Sequence, residues 1–100
     1  MAHEVRIENE RGEVIRSLGV VTALDRRWTS EDEGRFPWLT AIDPYGVTTL
    51  NYRQLKHVLH ELSALRTQID DLNDQRQIDD LMRWVEEVPD RHLYLKLLGD

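Results

Sequence analysis

Asp43-Pro44-Tyr45-Gly46-Val47-Thr48-Thr49-Leu50-Asn51 is the stretch on which the fold turns. Asp-Pro-x-Gly signals a β-turn, and each position has a physical reason. The Asp43 carboxylate accepts backbone N–H bonds, Pro44 presets φ, and Gly46 suits the exit. An apolar, β-type run precedes the turn and another follows it. Residues 36–50 therefore read as a central hairpin, and Pro37 places the start of its first arm at an edge or just beyond residue 37. Asn51 then stands before a long amphipathic pattern, where its side chain caps a helix.

Working outward, Val5 and Ile7 alternate with Glu4, Arg6 and Glu8, as in a half-buried strand. Asn9 to Gly12 turns the chain, and Glu13 to Leu18 returns, which makes residues 3–18 a first hairpin. Residues 19–28 fit either a strand end or one short helix. Thr29 to Gly34 reads as a polar, acidic loop.

Beyond Asn51, Leu55, Leu62 and Ile69 recur every seven residues, and so do Val58, Leu65 and Leu72. Widened by Leu59, this stripe predicts a long helix over 51–72. The stripe breaks phase beside Asn73 and Asp74 and restarts at Ile78, Leu81, Met82, Val85 and Val88. That break predicts a second helix over 74–88, with Asp74 and Gln77 as its capping box and Pro89 as its stop. Residues 92–98 read as a last strand, with Leu93, Leu95 and Leu97 on one face. Its place is beside the first strand or the central hairpin. The predicted fold class is α+β. A small antiparallel sheet built from hairpins is packed on one face by an antiparallel helix pair, with a C-terminal strand.

One hundred residues bound a single domain, 1–100, and at 40% hydrophobic they suffice for one modest core. The chain has no cysteine, which removes disulfides, thiolate metal sites and cysteine nucleophiles. The charged start of the chain has no apolar signal core, and no apolar run approaches a membrane span. A cytoplasmic protein without a membrane partner is expected.

The net charge of −6 is unevenly spread. Residues 70–90 hold eight acids and only two bases, which accounts for all of it. Phosphate binding needs a basic footprint, so no nucleic-acid partner is expected. A solvated helix face that keeps a small protein soluble explains such a segment, and so does a basic protein partner.

The residue types that carry chemistry do not assemble into a recognisable constellation. His57, His60 and Glu61 form His-x-x-His-Glu, which matches neither zinc-protease order, and both histidines fall on the exposed flanks of the helix. Ser17, Ser30 and Ser63 lie outside any nucleophile elbow. Adjacent acids such as Asp79/Asp80 stay solvated unless a cleft separates their pKa values. No glycine-rich phosphate loop is present. No enzymatic activity, metal or cofactor is expected.

Two aromatic residues bear on binding. Tyr45, third in its turn, is either an exposed hot spot or folded back over Trp38 or the first turn of the helix. Trp84, at the border of the second helix's stripe, is either core edge or interface anchor.

The segment Phe36 to Asn51, with the ending His92 to Asp100, resembles a group of small bacterial proteins. They share a D-P-Y-G-x-T-x-x-N core and a closing strand ending in Gly-Asp. That resemblance implies no particular activity. In size and charge alone the chain is similar to toxin-immunity proteins.

The functional expectation is a small acidic protein-binding module, in concrete form an immunity or inhibitor protein that neutralises a basic toxin or nuclease. The partner-binding candidates are Asp70, Asp71, Asp74, Asp79, Asp80, Trp84, Glu86, Glu87 and Tyr45. The alternative is a self-associating structural or adaptor domain. In that reading, leftover surface of the stripe or an uncovered sheet face forms a homodimer.

Overall fold

The computed structural model describes residues 2–88 and 92–99. Pro89, the expected helix stop, and Asp90 and Asp100 lie outside the described residues. The chain runs β1 (His3–Asn9), β2 (Val14–Val21), α1 (Ser30–Arg35), α2 (Pro37–Thr40), β3 (Val47–Asn51), α3 (Tyr52–Arg66), α4 (Leu72–Glu86) and β4 (Leu93–Gly99). The four strands form one antiparallel sheet in the order β2-β1-β4-β3. The α3–α4 pair covers one face of it, so the fold is α+β.

Alternation decides which face is covered. Val5 and Ile7 of β1, Leu50 of β3, and Leu95 and Leu97 of β4 are all buried. They meet Leu55, Val58, Leu62 and Leu65 of α3 and Ile78, Leu81 and Val85 of α4 in one core cluster. Each such side chain, fully buried, contributes about 1.5–3 kcal/mol. The last strand takes both places open to it: Val5 pairs with Leu97 on one side, and Thr48 pairs with Leu97 on the other.

The first hairpin forms and runs on to Val21, which settles part of the ambiguous link. Its register slips twice, between Val5 and Arg6 and between Ile7 and Glu8. Arg6 pairs with Ser17 and Val5 with Gly19, so Leu18 is an extra residue on β2, as in a β-bulge. Gly19 has φ +152°, and a Cβ there would lie 3.0 Å from the Trp84 ring. The bulge thus opens a flat spot in β2 on which an α4 side chain rests.

The central hairpin over 36–50 does not form. Residues 37–40 form the short helix α2 instead of a strand, and β3 pairs with β4 rather than with this segment. Two local causes and one distant one explain this. Thr29 and Asp32 form a reciprocal capping box that starts α1. Pro37 occupies the first position of α2, where its missing N–H costs nothing. The next N–H groups, of Trp38 and Leu39, donate to the buried Glu61 carboxylate of α3, at 3.0 and 2.9 Å. Phe36, Leu39 and Ile42 bury themselves at intervals of three, a helical spacing that passes for an apolar β run in sequence.

The helix boundaries also move. α3 ends at Arg66 rather than 72, and α4 starts at Leu72 rather than 74. Asn51 caps α3 as expected and forms a capping box with Gln54. The cap of α4 is Asp71, which accepts from the Asp74 N–H at 2.9 Å, so Asp74 is not the cap. Ile69 keeps its place in the core from the turn, whereas Leu72 is exposed. Gln77, expected in a capping box, accepts instead from the N–H groups of Thr22 and Ala23 at 2.7 and 2.8 Å. This pins the chain leaving β2 onto α4.

The Asp-Pro-Tyr-Gly turn connects α2 to β3 and docks on the end of the last strand. Asp43 accepts from the Tyr45 N–H at 2.9 Å, and the Gly99 N–H donates to the Gly46 carbonyl at 2.8 Å. His3 Nε2 donates to the Asp43 carbonyl at 3.0 Å, which leaves its buried Nδ1 without a partner among the described residues. A Cβ on Gly99 would lie 2.3 Å from the Pro44 carbonyl oxygen, a backbone atom. On Gly46 it would lie 2.5 Å from Asp43 Oδ2, the end of a flexible side chain. Gly99→Ala is therefore expected to destabilise the fold by about 2–3 kcal/mol, because the turn must move. Gly46→Ala should cost about 1 kcal/mol, the loss of the Asp43 hydrogen bond. Urea denaturation of both variants checks the order; equal losses would contradict the close approach at Gly99.

Candidate functional site: an acidic corner

The acidic segment does not present one continuous face. Asp79 pairs with Arg66 of α3 at 3.0 Å, Asp80 with Arg83 at 2.9 Å, and Glu87 with Arg16 of β2 at 2.6 Å. Asp71 is engaged in capping α4. Asp70, Asp74 and Glu86 form no ion pair among the described residues. Two of these acids therefore tie α4 to other elements and two are engaged within or at the start of α4, while Asp70, Asp74 and Glu86 remain to act outward.

Asp70, Asp71 and Asp74 come together at the α3–α4 corner, against the connection that leaves β2. With Thr22, Ala23, Asp25, Arg26, Gln68 and Ile69 they enclose an open hollow of about 310 Å³. The buried residues Ala23 and Ile69 contribute apolar surface, and four carboxylates contribute charge. Among the described residues that line it, Arg26 is the cation, and its guanidinium carbon lies 5.6 Å from the centroid of the Trp28 ring. The hollow can hold a long cationic side chain, with the apolar stem on Ile69 and the charged head among the carboxylates. Sequence reasoning missed Asp25 and Arg26 because they belong to the ambiguous link, which the Gln77 bonds and the burial of Ala23 and Leu24 bring to this corner.

The two aromatic candidates part company. Trp84 is 8% exposed and lies over Gly19, so it belongs to the core. Tyr45 is 70% exposed in the turn between α2 and β3. It does not cover Trp38, whose ring instead stacks on His57 at 5.1 Å with an 8° interplanar angle.

That stack also disposes of the His-x-x-His-Glu set. Glu61 turns inward to the α2 backbone, His57 lies on Trp38, and His60 is exposed. Among the described residues no three His, Asp or Glu side chains are placed to share a metal. Ser17, Ser30 and Ser63 are all exposed. No helix among the described residues is long and apolar enough to cross a membrane.

The sheet face away from the helices carries a second polar cluster. Glu8 is buried there and accepts from Arg6 at 2.6 Å and from Lys96 at 3.2 Å. Comparison with protein-family profiles, with curated proteins and with solved structures finds no match to this chain.

Burial by itself pushes the Glu8 carboxyl up, but the hydrogen bonds and charges of Lys96 and Arg6 outweigh it. They hold the carboxyl below the ordinary glutamate value. Its stabilising contribution is thus present above that ordinary value and disappears as pH falls through the lower, folded one. Glu8→Gln should cost about 1–3 kcal/mol at neutral pH. Thermal melts across the acidic range should show the gap between wild type and variant closing as pH falls; a constant gap would contradict this assignment.

Proposed function

We propose that the protein is a small binding module that takes a basic segment of another protein into the acidic corner. The observation that carries this reading is the meeting of Asp25, Asp70, Asp71 and Asp74 around one hollow with apolar residues in its wall. A lysine or arginine entering it gains charge-assisted hydrogen bonds and buries its stem. The net charge of −6 steers a basic partner toward the molecule before contact.

The concrete form we favour is an immunity or inhibitor protein that covers the basic cleft of a toxin or nuclease. Such a cleft is built to hold phosphate, and an acidic corner competes for the same cations. The exposed Tyr45, in the turn between α2 and β3, does not line this hollow.

A lysine-rich peptide is the probe. Titrated into the labelled protein at low salt, it should shift amide resonances of residues 22–26 and 68–74. Asp70→Lys with Asp74→Lys should weaken binding by about tenfold or more, while Glu86→Lys, outside the hollow, leaves it nearly unchanged. Added salt should weaken the wild type in the same direction. Shifts spread evenly over every acid of α4, or a corner double variant that binds as well as wild type, would overturn the reading.

A further inference from the structure

A second surface, distinct from the acidic corner, lies on the outside of the helix layer. Where the start of α3 runs beside the end of α4, an open groove of about 210 Å³ follows the seam between them. Leu55, Val85 and Val88 are buried in it, and Leu59 is half-buried. Leu59 is the residue that widens the α3 stripe beyond what the sheet covers.

The banks of this seam carry opposite charge. Lys56 stands on the α3 bank and Glu86 on the α4 bank, both exposed. Neither is in an ion pair among the described residues. Further along, Arg66 of α3 and Asp79 of α4 repeat the same signs and bridge the seam at 3.0 Å. The remaining exposed side chains of α3, which are Arg53, His57, His60 and Ser63, include no acid.

We propose that a second copy of this chain seats on the seam and forms a twofold-symmetric dimer. A twofold axis lying along the seam places α3 over the partner's α4. Lys56 then meets the partner's Glu86, Glu86 meets the partner's Lys56, and apolar seam covers apolar seam. An axis across the seam would instead set α3 on the partner's α3, cation against cation. The charges therefore select one of the two face-to-face arrangements, and the contact is isologous. The uncovered sheet face offers no such match, because Arg6, Glu8 and Lys96 occupy its middle.

Sedimentation velocity of the full chain over the micromolar range tests this. The wild type should dimerise reversibly. Lys56→Glu and Glu86→Lys should each be weakened about tenfold or more, since symmetry places every reversal in two contacts. The two singly reversed chains, mixed in equal amounts, should recover the dimer, because each then supplies the charge the other lacks. The double variant should recover it alone. Circular dichroism confirms that these surface variants fold. A wild type that stays monomeric overturns the proposal. If that monomer takes up an apolar dye in the groove, the seam belongs to a foreign segment. Single variants that dimerise as well as wild type, or a mixture that fails to recover, also overturn it.

Discussion

The sheet depends on a strand made last. β4 is hydrogen-bonded to β1 on one side and to β3 on the other. Without it, the first hairpin and β3 have no partner in common. Val5 meets Leu97 across most of the chain's length, so this contact carries the full entropy of closing a long loop. The compensation is concentrated at the strand's end. There the Asp43–Gly46 turn rests against Gly99, and His3 reaches the same turn from β1. One small region thus sets the register of three strands.

The fold was legible wherever a residue's role was local. The alternation in β1 and β4, the Asn51 cap and the stripe from Leu55 to Leu65 each report their own element, and each element formed. Much of what could not be read was set by a distant partner. Residues 36–42 are as apolar as a strand, and the Glu61 carboxylate, more than twenty positions further on, supplies acceptors at the start of α2. Gln77 looked like a helix cap because of its spacing from Asp74, yet its oxygen is bonded to the backbone of Thr22 and Ala23. Both are single polar side chains in the helix layer that satisfy the backbone of a neighbouring segment. A periodicity argument has no way to see such a bond.

The candidate site was half legible for the same reason. The excess of acid on residues 70–90 is a fact of sequence, but its availability is a fact of packing. Arg66, Arg83 and Arg16 engage Asp79, Asp80 and Glu87, and two of these three cations come from other elements. A segment's formal charge therefore overstates what it presents outward. The acids that gather in one place are those of the corner, where Asp25 joins Asp70, Asp71 and Asp74 although it lies far from them in sequence. Trp84 shows the converse. It is large and aromatic at a stripe border, and a glycine at the right register on β2 makes room for it inside.

Apart from the acidic corner, two surfaces compete as places where a second copy of the chain could lie, and buried charge separates them. The open sheet face exposes Val20 and Val47, and Glu4 and Leu98 stand between them in register. In the next rows sit Arg6, Lys96 and Glu8. Covering that face would take half-buried cations fully out of water, and desolvation of that kind cancels much of what the apolar rim returns. Along the helix seam the apolar residues run down the middle and the charges stand at the banks, where water still reaches them. Charges in that position select orientation at little cost. An apolar middle with a charged rim is the common anatomy of a binding surface, and of these two faces the seam between α3 and α4 has it.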